Sequence, residues 1–217
     1  MRFFKRKTDY KNQIDELEKS RQDLIKVNQR NFDLADDEIN STREFYEKMR
    51  SHGIKRFDHF LNLCLISSFT NTDVTLLCQQ IRISKHKLEK LFYARMLALI
   101  IVEYLKDINV LLGFKLIGEL NTNKYQEFVP KMKEINSDFA GIKKNHNTFL
   151  TEIRNKIAAH KTKEALNLVN SIYSLDVEKV FSLGLEIISM NVKLTNEGNR
   201  VYNKIIKEAD LNKRNSK

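Results

Sequence analysis

The chain has 217 residues with only six Gly and one Pro, too little turn punctuation for an all-β or α/β protein. Apolar residues make up 41% and charged residues 30%, which lies outside the disordered range and leaves enough for a core that, without Trp, Leu and Phe must fill. The net charge of +10 attracts polyanions such as nucleic acid, although a basic surface without a dedicated partner has the same charge. An all-α protein follows, made of one domain with an extension. The start, "MRFFKRKTDY", has no apolar segment of signal-peptide type. Cys64 and Cys78 form no CxxC or zinc spacing and read as reduced core thiols of a cytoplasmic protein.

In chain order, Tyr10, Ile14, Leu17 and Leu24 form one stripe over residues 8–31, with Arg21 and Asn28 in the same register. This is a heptad-like seam with polar interruptions. It suits weak pairing with another helix or chain, and equally a solvated helix. "NFDLADDE" (31–38) predicts a break, with its acidic residues in the first turn of a new helix. Ile39, Tyr46, Met49, Gly53, Phe57, Phe60 and Cys64 form a second stripe, and apolar density rises after Phe57. The expected organisation is a long coiled-coil-like arm over 1–50, a helical bundle over 51–206 and a basic, frayed tail over 207–217.

Within the bundle, "TNTD" (70–73) predicts a loop with an N-cap before a short helix, 73–82. Ser84 is the expected cap of the next helix, which runs to about Leu112. The apolar run 96–118 is interrupted by Glu103, Lys106 and Asp107, so it reads as a core helix and not a membrane span. Residues 119–125 form a polar connector, and Pro130 marks a helix start. A helix over about 137–159 shows Phe139, Ile142, Phe149 and Ile153 on an apolar face, and a last long helix begins near 174 with Val177, Val180, Phe181, Leu185 and Ile188 facing inward.

The stretch "EIRNKIAAHKT" (152–162) carries the candidate chemistry. An Arg with a His six places on arises by accident roughly 0.3 times in such a chain, so the spacing alone is weak evidence. On a continuous helix Arg154 and His160 would point about 120° apart. They converge only if the helix ends near Ala158 and Ala159, with Thr162 capping the next one.

"IRNKIAAHK" resembles the signature of the HEPN superfamily: an Arg, a polar residue, then a His after a short interval, in an all-α setting. The resemblance covers roughly 55–205 and implies a HEPN-like helical bundle. It further implies a metal-independent endoribonuclease of toxin–antitoxin, abortive-infection or other antiviral systems, acting on RNA as a homodimer. An antitoxin or other regulatory protein would be a further partner. Some members of the superfamily are inactive binding modules, so a non-catalytic module for nucleic acid or a partner protein is the alternative.

The residue types fit that chemistry. RNA supplies its own nucleophile, the ribose 2′-OH. His160 titrates in the useful range for a general acid or base, Arg154 offers a planar fork to a phosphate, and Asn155 can orient either by hydrogen bonding. No cofactor and no metal-site spacing is read from the chain. Lys143, Lys144, His146, Lys156, Lys161 and Lys163 are candidate RNA contacts, and Glu103 a supporting residue that needs a partner or a cleft. The structural readings of the same residues are a surface Arg154 paired with Glu152 or Glu164, a His160 that complements a helix C-terminus, and solvated lysines.

Overall fold

The computed structural model of the chain describes residues 2–157 and 165–215. The described residues are all-α, without a strand. Among the described residues eight helices follow one another, α1 (Arg2–Ser51), α2 (Asp58–Ile83), α3 (Lys87–Leu111), α4 (Phe114–Thr122), α5 (Val129–Asn145), α6 (Asn147–Ile157), α7 (Ala165–Tyr173) and α8 (Val177–Asn215), with a 3-10 turn at Gln126–Phe128. The chain divides into two compact units, Met1–Asn40 and Ser41–Lys217.

The first unit is helical from Arg2 onward, so the break expected over 31–38 is absent. Asp33, Asp36, Asp37 and Glu38 lie inside α1 and are exposed. The second unit begins near residue 41 instead of 51. Phe45 meets Tyr202 edge to face at 5.4 Å, and the Tyr46 hydroxyl donates to the Asp58 carbonyl. Residues 41–51 therefore belong to the bundle's own packing. Gly53 stops α1 at a φ of 71°, a left-handed conformation that costs Gly little. Its N–H donates to Arg50 O and that of Ile54 to Met49 O, the paired bonds of a Schellman ending.

α2 runs unbroken through "TNTD". The Thr72 hydroxyl donates back to the Ser68 carbonyl, so it closes a helical turn in place of capping a new one. No residue next to α2's first turn caps it. The Glu119 carboxylate, from α4, accepts the N–H groups of His59 and Phe60, both at 2.9 Å. Burial raises the pKa of Glu119, and those two N–H bonds pull it partly back. Asn123 holds the same corner: its amide donates to Arg56 O, and Arg56 Nε donates to Asn123 Oδ1. Ser84 closes the end of α2 by bonding Gln80 O and does not cap α3.

The apolar run 96–118 is not one helix. It turns at Leu112–Gly113 and continues as α4, which also takes in most of the expected polar connector. α3 buries Leu97, Ile101, Leu105 and Ile108, while α2 buries Phe60, Leu61, Leu63, Val74 and Cys78. By length and composition α2 is the one described helix apolar enough to cross a membrane. Cys64 and Cys78 are free, and burial pushes the Cys78 thiol up to about 12.

Pro130 sits in the first turn of α5, where its missing N–H costs nothing. α8 continues past 206 as helix to Asn215. It turns Val180, Leu183 and Ile187 inward, whereas Leu185 is 49% exposed, contrary to its expected inward place. Gly184 lies where α8 meets α2 and α3: a Cβ there would stand 2.6 Å from Cys78 Sγ and 3.1 Å from a Leu97 methyl. Gly184→Ala is expected to destabilise the bundle by about 1–3 kcal/mol, the usual cost of overpacking. Denaturant unfolding checks this; an unchanged midpoint would show that the helices have room to spare.

Candidate functional site

α5 and α6 are two helices where one was expected over 137–159, because the chain breaks at His146. His146 caps α5 with φ −104° and ψ 8° and donates its N–H to Ile142 O. Its carbonyl then accepts the Leu150 N–H, which starts α6. α6 is short and strongly two-sided. Leu150 and Ile153 are buried in the core, and Phe149 packs against it. Glu152, Arg154 and Asn155 are exposed. A spacing of three between Leu150 and Ile153 keeps both on the core side, so Arg154 and Asn155 face solvent next to the helix end.

Of the expected catalytic residues, Arg154 and Asn155 are thus adjacent, exposed and anchored from behind. His160 lies outside the described residues, as do Lys161, Lys163 and the Ala158–Ala159, Thr162 and Glu164 positions of the expected bend. Among the described residues no ion pair holds Arg154. Lys156 is helical in α6, with its side chain outside the description. Lys143 and Lys144 occupy the last turn of α5, half-buried and exposed respectively, where they complement the negative helix end.

His146 does not join a face with Arg154. The break turns it to α8, where its Nε2 lies 3.0 Å from a Glu186 carboxylate oxygen. A carboxylate only accepts, so Nε2 carries the hydrogen. The expected RNA contact thus also forms a helix-joining pair. Glu103 is also placed differently: it is exposed on α3 and pairs with Lys106 at 3.3 Å, one turn on. It backs no site residue among those described.

A groove of about 180 Å³ lies beside α6, lined by Phe149, Glu152, Ile153, Ser174, Leu175, Asp176 and Lys179. Asp176 Oδ1 accepts the Lys179 N–H and so caps α8. The Lys179 ammonium stands 4.3 Å over the Phe149 ring. Phe149 and Ile153 were expected on an apolar face, whereas Ser174, Leu175, Asp176 and Lys179 were not expected beside them. Asp176 three places before Lys179 at a helix start was a readable cap, but the meeting of that turn with α6 is tertiary. Among the described residues no group of three His, Cys, Asp or Glu could hold a metal ion.

Compared with protein-family models, with curated proteins and with solved structures, the chain has no match in any of the three.

The two assignments of His146 separate by experiment. As a helix-joining residue, His146→Ala is expected to lower stability by under about 1 kcal/mol, since the pair is partly exposed, and to leave the salt dependence of RNA binding unchanged. A slope of log affinity against log salt that fell by about one unit would return His146 to the phosphate contacts.

Proposed function

We propose that the chain is a HEPN-type endoribonuclease that cuts RNA without a metal ion, as a cytoplasmic toxin or phage-defence effector. The observation that carries this reading is the placement of Arg154 and Asn155: solvent-facing, side by side, on a helix fixed to the core by Leu150 and Ile153. That arrangement suits a phosphate-binding Arg, because its position is set by packing while its guanidinium stays open to a ligand. The string then continues to His160.

The reaction is an internal transesterification. A base removes the 2′-OH proton, and the 2′-oxygen attacks the neighbouring phosphorus. The bond to the 5′-oxygen breaks, and that oxygen takes a proton from an acid. The products are a 2′,3′-cyclic phosphate and a 5′-OH. His160 is the acid–base group, Arg154 meets the charge that grows on the phosphoryl oxygens, and Asn155 orients one or the other. One His is hard pressed to serve as base and acid in a single step, so the reading includes a homodimer in which a second copy supplies another His160. The net charge of +10 draws RNA to the protein, and Lys143, Lys144, Lys156, Lys161 and Lys163 add phosphate contacts.

A second reading, a non-catalytic module that binds a partner protein such as an antitoxin, is favoured by a different observation. Leu88, Phe92, Met96 and Leu99 follow helical spacing on α3 and are 62%, 55%, 40% and 38% exposed. An exposed apolar stripe of this kind marks protein contact more often than RNA contact.

Wild type, Arg154→Ala and His160→Ala assayed on mixed tRNA and mRNA in EDTA decide between the two. Cleavage by wild type, with each variant reduced by about a hundredfold or more, is the expected result. Equal cleavage by all three chains, or none by wild type, contradicts the nuclease reading.

A further inference from the structure

We propose that the groove beside α6 takes one guanine base of an RNA strand. The strand comes from the nuclease reading, on which this rests; the fit of the base to the groove does not depend on cutting.

The groove lies between one side of α6, with Phe149, Glu152 and Ile153, and the turn into α8, with Ser174, Asp176 and Lys179. At about 180 Å³ it is smaller than the roughly 300–1,000 Å³ of pockets for drug-sized ligands, and it suits one planar ring system. Its hydrogen-bonding groups are unequal. Glu152 and Asp176 bring carboxylates, which only accept, and Lys179 brings an ammonium, which only donates. Asp176 gives Oδ1 to the Lys179 N–H, and its other oxygen is left for a ligand. The Ser174 hydroxyl donates to Ser171 O, so toward the groove it too accepts. Among the described lining residues, side chains thus accept at three positions and donate at one.

Of the four RNA bases, guanine alone has a Watson–Crick edge with more donors than acceptors. Its N1–H and N2–H point the same way, so one carboxylate accepts both, while O6 accepts from an ammonium. Cytosine and uracil each present one donor and two acceptors there, and adenine one of each. These leave the carboxylates short of donors or set an acceptor against them.

The ring beside these groups gives the base a surface to lie on. The Lys179 ammonium stands 4.3 Å over Phe149. Lys179 is exposed, so its ammonium is free to swing to O6, and the ring face it leaves stacks the base. Only the neutral base enters the acidic groove, and the phosphates stay outside it. Asn155 is three residues beyond Glu152 on α6, hence its neighbour on the helix surface, and both are exposed. A base held by Glu152 therefore brings the adjoining phosphate toward Asn155.

Short 2′-O-methyl strands test the groove, because without a 2′-OH they bind but cannot be cut. Fluorescein-labelled UUGUU, UUAUU, UUCUU, UUUUU and the inosine strand UUIUU carry equal charge, so the general attraction to a basic protein is the same for all. Fluorescence anisotropy with the full chain is expected to show UUGUU bound about tenfold tighter than the A, C and U strands. Inosine, which lacks the N2 amino group, falls between. Glu152→Gln is expected to bring UUGUU to the level of UUAUU and to leave UUAUU unchanged. Equal affinity for all five strands would overturn the proposal, and so would a guanine preference that survives Glu152→Gln. Guanosine monophosphate, as competitor, separates the two sources of the base. If it bound more tightly than UUGUU, the groove would belong to a free nucleotide, and its place on an RNA strand would be overturned. Guanine preference as expected, together with no cutting of ordinary RNA by wild type, would uphold the groove while the nuclease reading fell.

Discussion

Tyr104 is the side chain on which the bundle converges. It is 4% exposed in the middle of α3. Its hydroxyl donates to Asn191 Oδ1 of α8 at 2.6 Å, and lies 3.2 Å from Ser67 Oγ of α2. One hydroxyl hydrogen cannot serve two acceptors, so Ser67 donates in return. The ring meets Phe139 of α5 edge to face at 5.8 Å. Four helices are thus tied at one residue, and burial there drives the phenol's pKa far up, so that it remains a neutral donor. An unmet buried hydroxyl costs about 1–3 kcal/mol, which makes any shifted register of α2, α3 and α8 expensive. Gly184 lets the same three helices approach closely.

That frame determines where the candidate site lies. α5 is held to α3 through Phe139, ends at His146 and gives way to α6. α6 then returns to the core through Leu150 and Ile153. The pair of His146 with Glu186 joins the break to α8. With the buried face of α6 so occupied, Arg154 and Asn155 lie on its exposed side. Arg154 and Asn155 are therefore presented by packing, not by a loop, and the chemistry proposed for them would need little reorganisation of their helix.

Much of this was readable in the chain. The scarcity of Gly and Pro gave the all-α class, Pro130 marked the start of α5, and helical periodicity put Phe139, Ile153 and Val180 inside. The differences share a physical cause: a local signal suits a boundary, and tertiary packing overrides it. The acidic residues of 31–38 suit a helix start, yet they are as easily solvated along the middle of α1. "TNTD" has cap residues, but Thr72 bonds back to Ser68 and Val74 is buried, so α2 continues. The true cap of α2 is Glu119, about sixty residues on, and no local pattern contains it. For the site, the period put Ile153 on the apolar face, and the next two residues, Arg154 and Asn155, are exposed. The partner of His146 is forty residues away in sequence, and so its role was not legible.

In the proposed reaction the RNA attacks itself, and the protein supplies a base, an acid and a cation for the phosphate. The ends of the product RNA test that most directly. Wild-type protein incubated with RNA in EDTA should yield fragments with a 5′-hydroxyl, which a polynucleotide kinase labels without prior phosphatase treatment, and a 2′,3′-cyclic phosphate, visible by mass as the loss of one water. Fragments with a 5′-phosphate, or cutting that appears only when a divalent ion is added, would contradict it.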